Sequence, residues 1–244
     1  MTRHILFDAD ILAYRCAWSE KDSSAEEAVL KLDELISNIV GAVDPWGPTT
    51  KHYYFLTGRG NYRHTIAKTA VYKGNRKEQP KPEHLGVLRE HLMLKYDAVV
   101  SENCEADDMI ATAANRFGYN NVVIVSIDKD FDQIPTTIFN PTKWEWKIVD
   151  TWSATKNFYK QILTGDRIDN IIGISGIGPV KADGILDGCD SEKALYNACV
   201  NAYADALYES CDEGAYELAT WRVLENARLL WIQREVGELW QPPF

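Results

Sequence analysis

Long apolar runs are missing from this 244-residue chain, although 45% of its residues are hydrophobic. None approaches the ~18 consecutive apolar residues that a membrane-spanning helix needs, and the N-terminal segment lacks the pattern of a signal peptide. Cysteine is scarce as well: the five cysteines are an odd number without a CxxC pair, which argues against a disulfide framework or a zinc knuckle. We therefore expect a globular protein of the reducing cytoplasm with no membrane partner.

Zinc-binding histidine patterns are also absent, because the five histidines form neither an HxH nor an HExxH spacing. A surplus of basic residues is lacking too: the net charge is −10, which at first argues against a nucleic-acid partner. The charge is unevenly distributed, however, since residues 59–95 carry nine Lys or Arg against three Glu. A basic segment beside a strongly acidic remainder suits a protein that binds a polyanion next to metal ions.

The chain instead has nine carboxylates in four short clusters, each where a core segment meets a loop or a helix. Like charges gathered in a cleft repel, so a fold that assembles them needs bound protons or divalent cations. Oxygen ligands alone favour Mg²⁺ or Mn²⁺ over zinc. The candidate ligands of such a two-ion phosphoryl-transfer site are Asp8, Asp10, Glu105, Asp107, Asp108, Asp128, Asp130, Asp166 and Asp169.

Each cluster alone also has an ordinary explanation. SIDKD (126–130) fits a surface turn, and acids such as those of CEADD (104–108) are common in the first turn of a helix. FDAD (7–10) is similar to the opening DxD of haloacid dehalogenase-like phosphatases, in which the first Asp is the nucleophile. That pattern requires Thr or Val where this chain has Leu12. The phosphatase stays an alternative interpretation, as does a DNA-binding scaffold without catalytic activity.

Alternating strand-like and helical patterns predict an α/β fold with a largely parallel sheet flanked by helices. Helical patterns at 25–40, 82–95 and 105–117 separate the strand-like runs. In such sheets ligands bind beyond the carboxyl ends of the strands, where Asp8 and Asp128 are expected. The strand-like runs are HILFDAD (4–10), KHYYFLT (51–57) and NVVIVSID (121–128), and TTIFN (136–140) with WEWKIV (144–149) predicts a hairpin.

Residues 173–186, GISGIGPVKADGIL, have the spacing of a helix-hairpin-helix motif. Gly176 and Gly178 would let a backbone phosphate approach closely, and Pro179 fits the first position of the following helix, whose free N–H groups face the anion. An ordinary turn between two helices is the alternative. The complete pattern favours binding of the DNA backbone.

Residues 62–64 and 72–77 mix aromatic and basic side chains, as surfaces that bind a nucleic-acid strand do. A solvated basic loop is the common alternative. Together with the hairpin, these segments give the candidate DNA-binding residues Arg63, Lys68, Lys77, Gly176, Ile177, Gly178 and Lys181.

Taken in order, five segments resemble the 5′ nuclease (flap endonuclease) superfamily, which includes the 5′ nuclease domain of bacterial DNA polymerase I and the 5′ exonucleases of T-odd bacteriophages. The C-terminal run ARLLWI (227–232) looks most like the phage enzymes. The five segments cover residues 4 to about 186 and are ILFDADILAYR, NYRH with VYKGNRK, CEADDMIATAA, IVSIDKDFDQIP and LTGDRIDNIIGISGIGPVKA.

This resemblance implies a PIN-like, metal-binding nuclease core at 1–150 with a short helical arch at about 59–95, and a helical DNA-binding region at 151–244. It implies a 5′-3′ exonuclease and flap endonuclease of replication or repair that uses two Mg²⁺ or Mn²⁺ ions. The expected substrate is duplex or branched DNA with a 5′ end, or an RNA–DNA hybrid. A monomer is expected, in the host cytoplasm if a phage encodes it.

The resemblance also assigns roles to individual residues. Eight of the nine clustered acids, all except Asp10, match the family's metal ligands. Lys73 and Arg76 match basic residues with a catalytic role at the scissile phosphate. The hairpin Gly176-Ile177-Gly178 matches the turn that holds the duplex backbone, often with a bound K⁺.

One position departs from the family pattern. Many relatives carry an Asp at the end of the second strand, where this chain has Phe55-Leu-Thr-Gly. Asp10, at a position where many relatives have no acid, supplies the missing charge if it lies near the metal ions. The equally open alternative is that Asp10 caps a helix. The surroundings of the Asp10 carboxylate decide between these two interpretations.

Overall fold

The computed structural model describes residues 3–44, 50–75, 80–208 and 214–244. The chain divides into two compact units: unit 1 comprises Met1–Asn61, Glu78–Val149 and Gln233–Val236, and unit 2 comprises Tyr62–Lys77, Asp150–Ile232 and Gly237–Phe244. The chain thus changes unit after Val149, next to the boundary predicted at residue 150. Residues 62–77, predicted to belong to an arch of the first domain, are part of unit 2.

Unit 1 is built on a sheet whose described strands are β1 (Arg3–Asp8), β2 (Thr50–Arg59), β3 (Val99–Glu102), β4 (Val122–Val125), β5 (Thr137–Asn140) and β6 (Glu145–Ile148). Their order is β3-β2-β1-β4-β5-β6. All neighbours are parallel except β6, which joins β5 antiparallel as the predicted hairpin. Because β1 and β4 are parallel neighbours, their carboxyl ends meet at one edge of the sheet.

The two central strands are the most deeply buried part of the sheet. Ile5, Leu6 and Phe7 of β1 have no exposed surface, and all four residues of β4 are buried. Strands enclosed on both faces read as continuous apolar runs rather than alternating ones, which is why they were recognisable in the sequence. The prediction of an α/β fold with a largely parallel sheet flanked by helices is confirmed.

The described α-helices are α1 (Ala9–Ser19), α2 (Ala25–Val43), α3 (Arg63–Ile66), α4 (Leu85–Tyr96), α5 (Ala106–Phe117), α6 (Thr151–Thr164), α7 (Pro179–Leu186), α8 (Glu192–Tyr208) and α9 (Ala215–Leu230). In unit 1, α1, α2 and α4 share one apolar core with β1 and β2. A capping box fixes the start of α2, since the Ser24 backbone N–H donates to Glu27 (2.8 Å) and the Glu27 N–H donates to Ser24 Oγ (3.2 Å). Gly118, with φ of +81°, ends α5.

Strand β3 is an element that the sequence patterns did not predict. It has only four residues and lies at an edge of the sheet. Its apolar residues Val99 and Val100 are 51% and 37% exposed, so the continuous buried run that marks a central strand is absent.

Unit 2 is mainly helical, with α3 and α6 to α9 packed around a core that includes the fully buried Tyr159. The helical region predicted at 151–244 also contains two strands. Two short antiparallel strands, β7 (Gly165–Asp166) and β8 (Ile171–Ile172), separate α6 from the turn before α7. Among the described helices of the whole chain, none combines the length and apolar character required to span a bilayer.

Asp33 links α2 to α4 in unit 1. Its carboxylate accepts hydrogen bonds from Lys95 Nζ (2.8 Å) and Tyr96 Oη (2.7 Å) and lies 2.8 Å from His91 Nε2. Burial opposes the charged form, but the bonds from Lys95, Tyr96 and His91 outweigh it and lower the pKa of Asp33. The carboxylate therefore stabilises the fold when it is ionised.

We expect Asp33→Ala to lower the free energy of unfolding by about 1–3 kcal/mol at neutral pH, because three donors lose their acceptor. A lowered folded-state pKa means that this contribution is present above the unfolded-state pKa and is lost as pH falls through the folded-state value. Urea unfolding followed by circular dichroism at about pH 7 and about pH 2 measures both effects. A variant-to-wild-type difference that does not shrink in acid would contradict the assignment.

The matched control is Asp22→Ala, because the Asp22 side chain is 90% exposed and has only a distant partner, Lys21, at 3.9 Å. Its effect on the free energy of unfolding should stay within about 0.5 kcal/mol at both pH values.

Candidate active site

Carboxylates gather at the carboxyl ends of β1 and β4. Asp8 is the last residue of β1, and Asp128 follows β4 by three positions. Ser126 connects them: its hydroxyl donates to Asp8 Oδ2 (3.0 Å) and accepts from the Asp128 backbone N–H (3.0 Å). Asp128 in turn accepts from the backbone N–H of Asp130 at 2.8 Å. This bond caps the start of a short 3₁₀ helix, Lys129–Gln133. The predicted clusters FDAD and SIDKD are therefore brought together.

The start of α5 supplies the third cluster of unit 1. Glu105 precedes the helix, and Asp107 and Asp108 lie in its first turn, where the helix dipole favours negative charge. Asp108 is buried, and its two oxygens accept from the backbone N–H groups of Glu105 (3.0 Å) and Gln233 (2.9 Å). Asp108 thus fixes the helix start, while its neighbour Asp107 adds charge to the cluster.

The electrostatics of Asp107 and Asp8 show that the clusters converge. The pKa of Asp107 is raised well above its usual value, first by burial and then by the negative charges of Asp8, Asp128, Glu105 and Asp108. Burial also raises the pKa of Asp8, where the Ser126 hydrogen bond opposes the effect and the charges of Asp10 and Asp128 add to it. Six carboxylates thus act on one another within unit 1: Asp8, Asp10, Glu105, Asp107, Asp108 and Asp128.

This donor set fits a hard divalent cation. It consists of oxygen atoms, and its crowded negative charge is what a cation relieves. Within the part of the chain that the structure describes, no three Asp, Glu, His or Cys side chains form a complete direct ligand set. Mg²⁺ commonly keeps several waters and takes only one or two carboxylates directly, so an ion held partly through water matches this arrangement.

Asp10 lies in the first turn of α1, but its carboxylate does not cap that helix. Its Oδ2 accepts from the backbone N–H of Thr57 at 2.6 Å, and its Oδ1 forms an ion pair with Arg89 Nη1. Both oxygens are therefore engaged at the end of β2, the position where the expected family acid is missing. The charge of Asp10 still reaches Asp8, whose pKa it raises.

The fourth acidic cluster belongs to unit 2, where Asp166 ends β7 and Asp169 lies on the turn to β8. Asp166 is buried, and its Oδ1 accepts from the backbone N–H groups of Ile168 (2.6 Å) and Asp169 (3.4 Å). Gly165 has φ of +68°, and a Cβ there would lie 2.3 Å from Ile171 O and from Gly173 N. Only glycine fits where the chain at residue 165 passes so close to residues 171–173. This close packing fixes the hairpin that carries Asp166 and Asp169.

Lys73 is bound to that same turn. Asp169 Oδ2 accepts from Tyr72 Oη at 2.6 Å and lies 3.6 Å from Lys73 Nζ. The Lys73 backbone N–H donates to Asp169 O at 2.8 Å, with Lys73 in the left-handed region at φ of +56°. The predicted phosphate-contacting lysine and a predicted metal ligand thus share one polar network in unit 2.

The predicted hairpin is an exposed turn leading into α7. Gly176 has φ of +75°, the Ile177 N–H donates to Ile174 O at 3.1 Å, and Pro179 is the first residue of the helix. Gly178 and Lys181 are exposed. The turn has the geometry that close approach of a phosphate requires, and DNA binding by it stays a prediction.

The remaining predicted basic residues differ in their positions. Arg63 is only 3% exposed, and its guanidinium donates to Leu229 O (2.8 Å) and Trp231 O (2.7 Å), so it stabilises unit 2 rather than presenting a charge to DNA. Lys68 is exposed. Arg76 and Lys77 lie outside the described residues.

Sequence patterns missed Ser126, Thr57 and Arg89. Ser126 had a signal, since it is a polar residue at the end of the apolar run of β4. Thr57 and Arg89 had none, because their role depends on contacts between segments far apart in the chain.

Comparison with known proteins identifies the family. The family model described as 5′-3′ exonuclease, N-terminal resolvase-like domain, matches residues 3–165. The chain belongs to this 5′-3′ exonuclease family. It is 34% identical over 149 residues to flap endonuclease Xni of Shewanella frigidimarina, covering 53% of the chain and 56% of the relative. This membership favours the nuclease interpretation over the phosphatase alternative.

This chain of the exonuclease family is also similar to a bacterial DNA polymerase I and to a solved bacteriophage structure. DNA polymerase I of Bacillus caldotenax is 29% identical over 205 residues, which are 75% of the chain and 23% of the polymerase. The chain thus spans about half of the flap endonuclease and under a quarter of the polymerase. The solved bacteriophage T5 flap endonuclease, in a pseudo-enzyme-product complex with DNA and metal ions, matches with a TM-score of 0.58 and 18% identity over 92% of this chain and 99% of its own. That structure shares the fold.

We expect Asp107→Asn to raise the free energy of unfolding of the metal-free protein by on the order of 1 kcal/mol, because it removes a desolvated charge from among four others. Urea unfolding in the presence of EDTA measures this effect. The matched control is Asp97→Asn, an exposed position with φ of +53° that Asn also tolerates, and it should change stability by less than about 0.5 kcal/mol. A clear loss of stability in Asp107→Asn would contradict the account.

Proposed function

We propose that this protein is a phage-type, Mg²⁺- or Mn²⁺-dependent 5′-3′ exonuclease and flap endonuclease of DNA replication or repair. Its substrate would be duplex or branched DNA with a 5′ end, including RNA primers paired with DNA. The observation that carries the proposal is the convergence of Asp8, Asp107 and Asp128 at the carboxyl ends of β1 and β4.

Named relatives support this proposal in two ways. Xni is named a flap endonuclease, and the chain matches more than half of it. The T5 flap endonuclease was solved with DNA and metal ions, and another T5 5′-exonuclease structure holds zinc. The zinc there is a divalent ion, and the oxygen donors of this chain favour Mg²⁺ or Mn²⁺ as the working ion.

In this mechanism the acids of unit 1 have separate roles. Asp8, Asp107 and Asp128 would hold an ion directly or through water, with Glu105 and Asp130 beside them. Asp108 would act by fixing α5, since both of its oxygens accept backbone bonds. When bound, two divalent ions would supply charge stabilisation at the phosphate and lower the pKa of the attacking water. The products would carry a 5′ phosphate and a 3′ hydroxyl.

Unit 2 carries the other predicted ligands and the predicted DNA-binding residues. Asp166 and Asp169 are proposed ligands for a second ion. Lys73, held by Asp169, would place positive charge at the scissile phosphate, with Arg76 beside it. Lys68, Lys181 and the Gly176–Gly178 hairpin would bind the DNA backbone independently of sequence, with K⁺ at the hairpin, and the chain would act as a monomer.

We expect Asp128→Asn to lower the cleavage rate by at least about a thousandfold while DNA affinity changes little, because it removes a metal donor but no DNA contact. The assay uses one labelled set of blunt, nicked, gapped, 5′-flapped and RNA-primed duplexes with Mg²⁺, Mn²⁺ or EDTA. Asp97→Asn is again the control of equal charge change and should cleave like the wild type. Undiminished cleavage by Asp128→Asn would refute the metal assignment.

The same assay, with a small phosphate monoester added to the set of substrates, separates the alternatives. A phosphatase would release phosphate from a small monoester and become phosphorylated on Asp8, without cutting DNA. A scaffold would bind the duplexes and cleave none of them in any divalent ion. Either result would replace the nuclease proposal.

A further inference from the structure

Thr57, at the carboxyl end of β2, is the centre of a polar network in unit 1. Its backbone N–H donates to Asp10 Oδ2 (2.6 Å), and its carbonyl accepts from Arg89 Nη2 (2.6 Å). Its hydroxyl accepts from the backbone N–H of Ala106 at 3.2 Å. One residue thus connects α1, α4 and α5 to the sheet edge that carries the candidate metal ligands.

Arg89 closes this network through its charge. One nitrogen of its guanidinium forms an ion pair with Asp10 while the other bonds the Thr57 carbonyl. The Arg89 and Asp10 side chains are only 24% and 16% exposed, so the pair is largely shielded from water. A carboxylate in such a site is strongly destabilising without its cation, which makes the pairing a property of the site and not a loose surface contact.

The network touches the acidic cluster at two points. Asp10 lies two residues from Asp8 in the chain, and its charge acts on that carboxylate. Ala106, which donates to Thr57, stands between Glu105 and Asp107 at the start of α5. Whatever changes the charge or position of this network therefore changes the field at the cluster.

We propose that Arg89 is a positioning residue of the metal centre, which cancels the charge of Asp10 and holds it on Thr57, so that Asp10 does not bind the ion. This inference rests on the proposed function. On this view no other ligand replaces the family acid that is missing at the end of β2. Asp10 has a structural role instead of the ligand role that the sequence suggested.

The proposal predicts opposite effects of removing the two partners. Arg89→Gln uncovers the negative charge of Asp10 and should tighten Mn²⁺ binding about fivefold or more at low ionic strength. Asp10→Asn uncovers the positive charge of Arg89 and should weaken Mn²⁺ binding by a similar factor. In the double variant both charges are gone, and the affinity should return to within about twofold of the wild type. Asp10→Asn keeps an oxygen that can accept from the Thr57 N–H, whereas Arg89→Gln has a shorter side chain and gives up the bond to the Thr57 carbonyl.

The experiment is calorimetric titration of Mn²⁺ into the metal-free full-length chain and these three variants, with circular dichroism to verify folding. Lys95→Met is the matched control, because Lys95 lies on the same helix as Arg89 and loses an ion pair with Asp33 of α2. It should leave the Mn²⁺ affinity unchanged. A purely structural salt bridge would alter stability without these opposite shifts in affinity. If either single variant fails to fold, the double variant still tests whether Asp10 is a ligand, because a loss of Mn²⁺ affinity there would overturn the proposal.

Two results would overturn the proposal. A double variant that binds Mn²⁺ as weakly as Asp10→Asn would make Asp10 a ligand, and an Arg89→Gln variant with wild-type affinity would remove the charge role of Arg89. Wild-type protein that binds no Mn²⁺ would overturn the proposed function itself, and the Arg89 role with it.

Discussion

Desolvated negative charge is the constraint on which unit 1 depends. Two parallel central strands end side by side in Asp8 and in the segment leading to Asp128, and the first turn of α5 adds Asp107. Burial alone raises the pKa of Asp8 and of Asp107, and each neighbouring carboxylate adds to the cost of ionisation. Individual contacts stabilise some of these carboxylates: Ser126 donates to Asp8, backbone N–H groups donate to Asp108, and Arg89 forms an ion pair with Asp10. Divalent ions would balance the charge that remains.

Unit 2 shows a different use of buried acids. Glu225 is 5% exposed and accepts from the backbone N–H groups of Lys68 (2.5 Å) and Thr69 (2.7 Å), which attaches residues 62–75 to α9. Asp169 attaches the same segment through Tyr72 and Lys73. Lys73 and an ion at Asp169 would therefore compete for one carboxylate, so loading of the metal and orientation of the lysine are coupled in the proposed mechanism.

The sequence was most informative where one physical rule acts locally. Buried runs such as those of β1 and β4 must be apolar on both faces, and a parallel sheet places its ligands at the carboxyl ends of strands, so Asp8 and Asp128 were recognisable. Strand β3 was missed because half-exposed valines carry no such pattern. The burial of Arg63 and the pairing of Asp10 with Arg89 depend on contacts between distant segments, which residue type and spacing do not encode. The family resemblance likewise predicted Asp108 as a metal ligand. It did not reveal that both oxygens of Asp108 accept hydrogen bonds from backbone N–H groups.

The most direct measurement of the central claim is anomalous diffraction from crystals of the wild-type chain soaked in saturating Mn²⁺. The account predicts a manganese peak at the carboxyl ends of β1 and β4, within direct or single-water distance of Asp8, Asp107 and Asp128, with the Asp10 carboxylate still on Arg89. Manganese bound elsewhere, with this edge of the sheet empty, would contradict it.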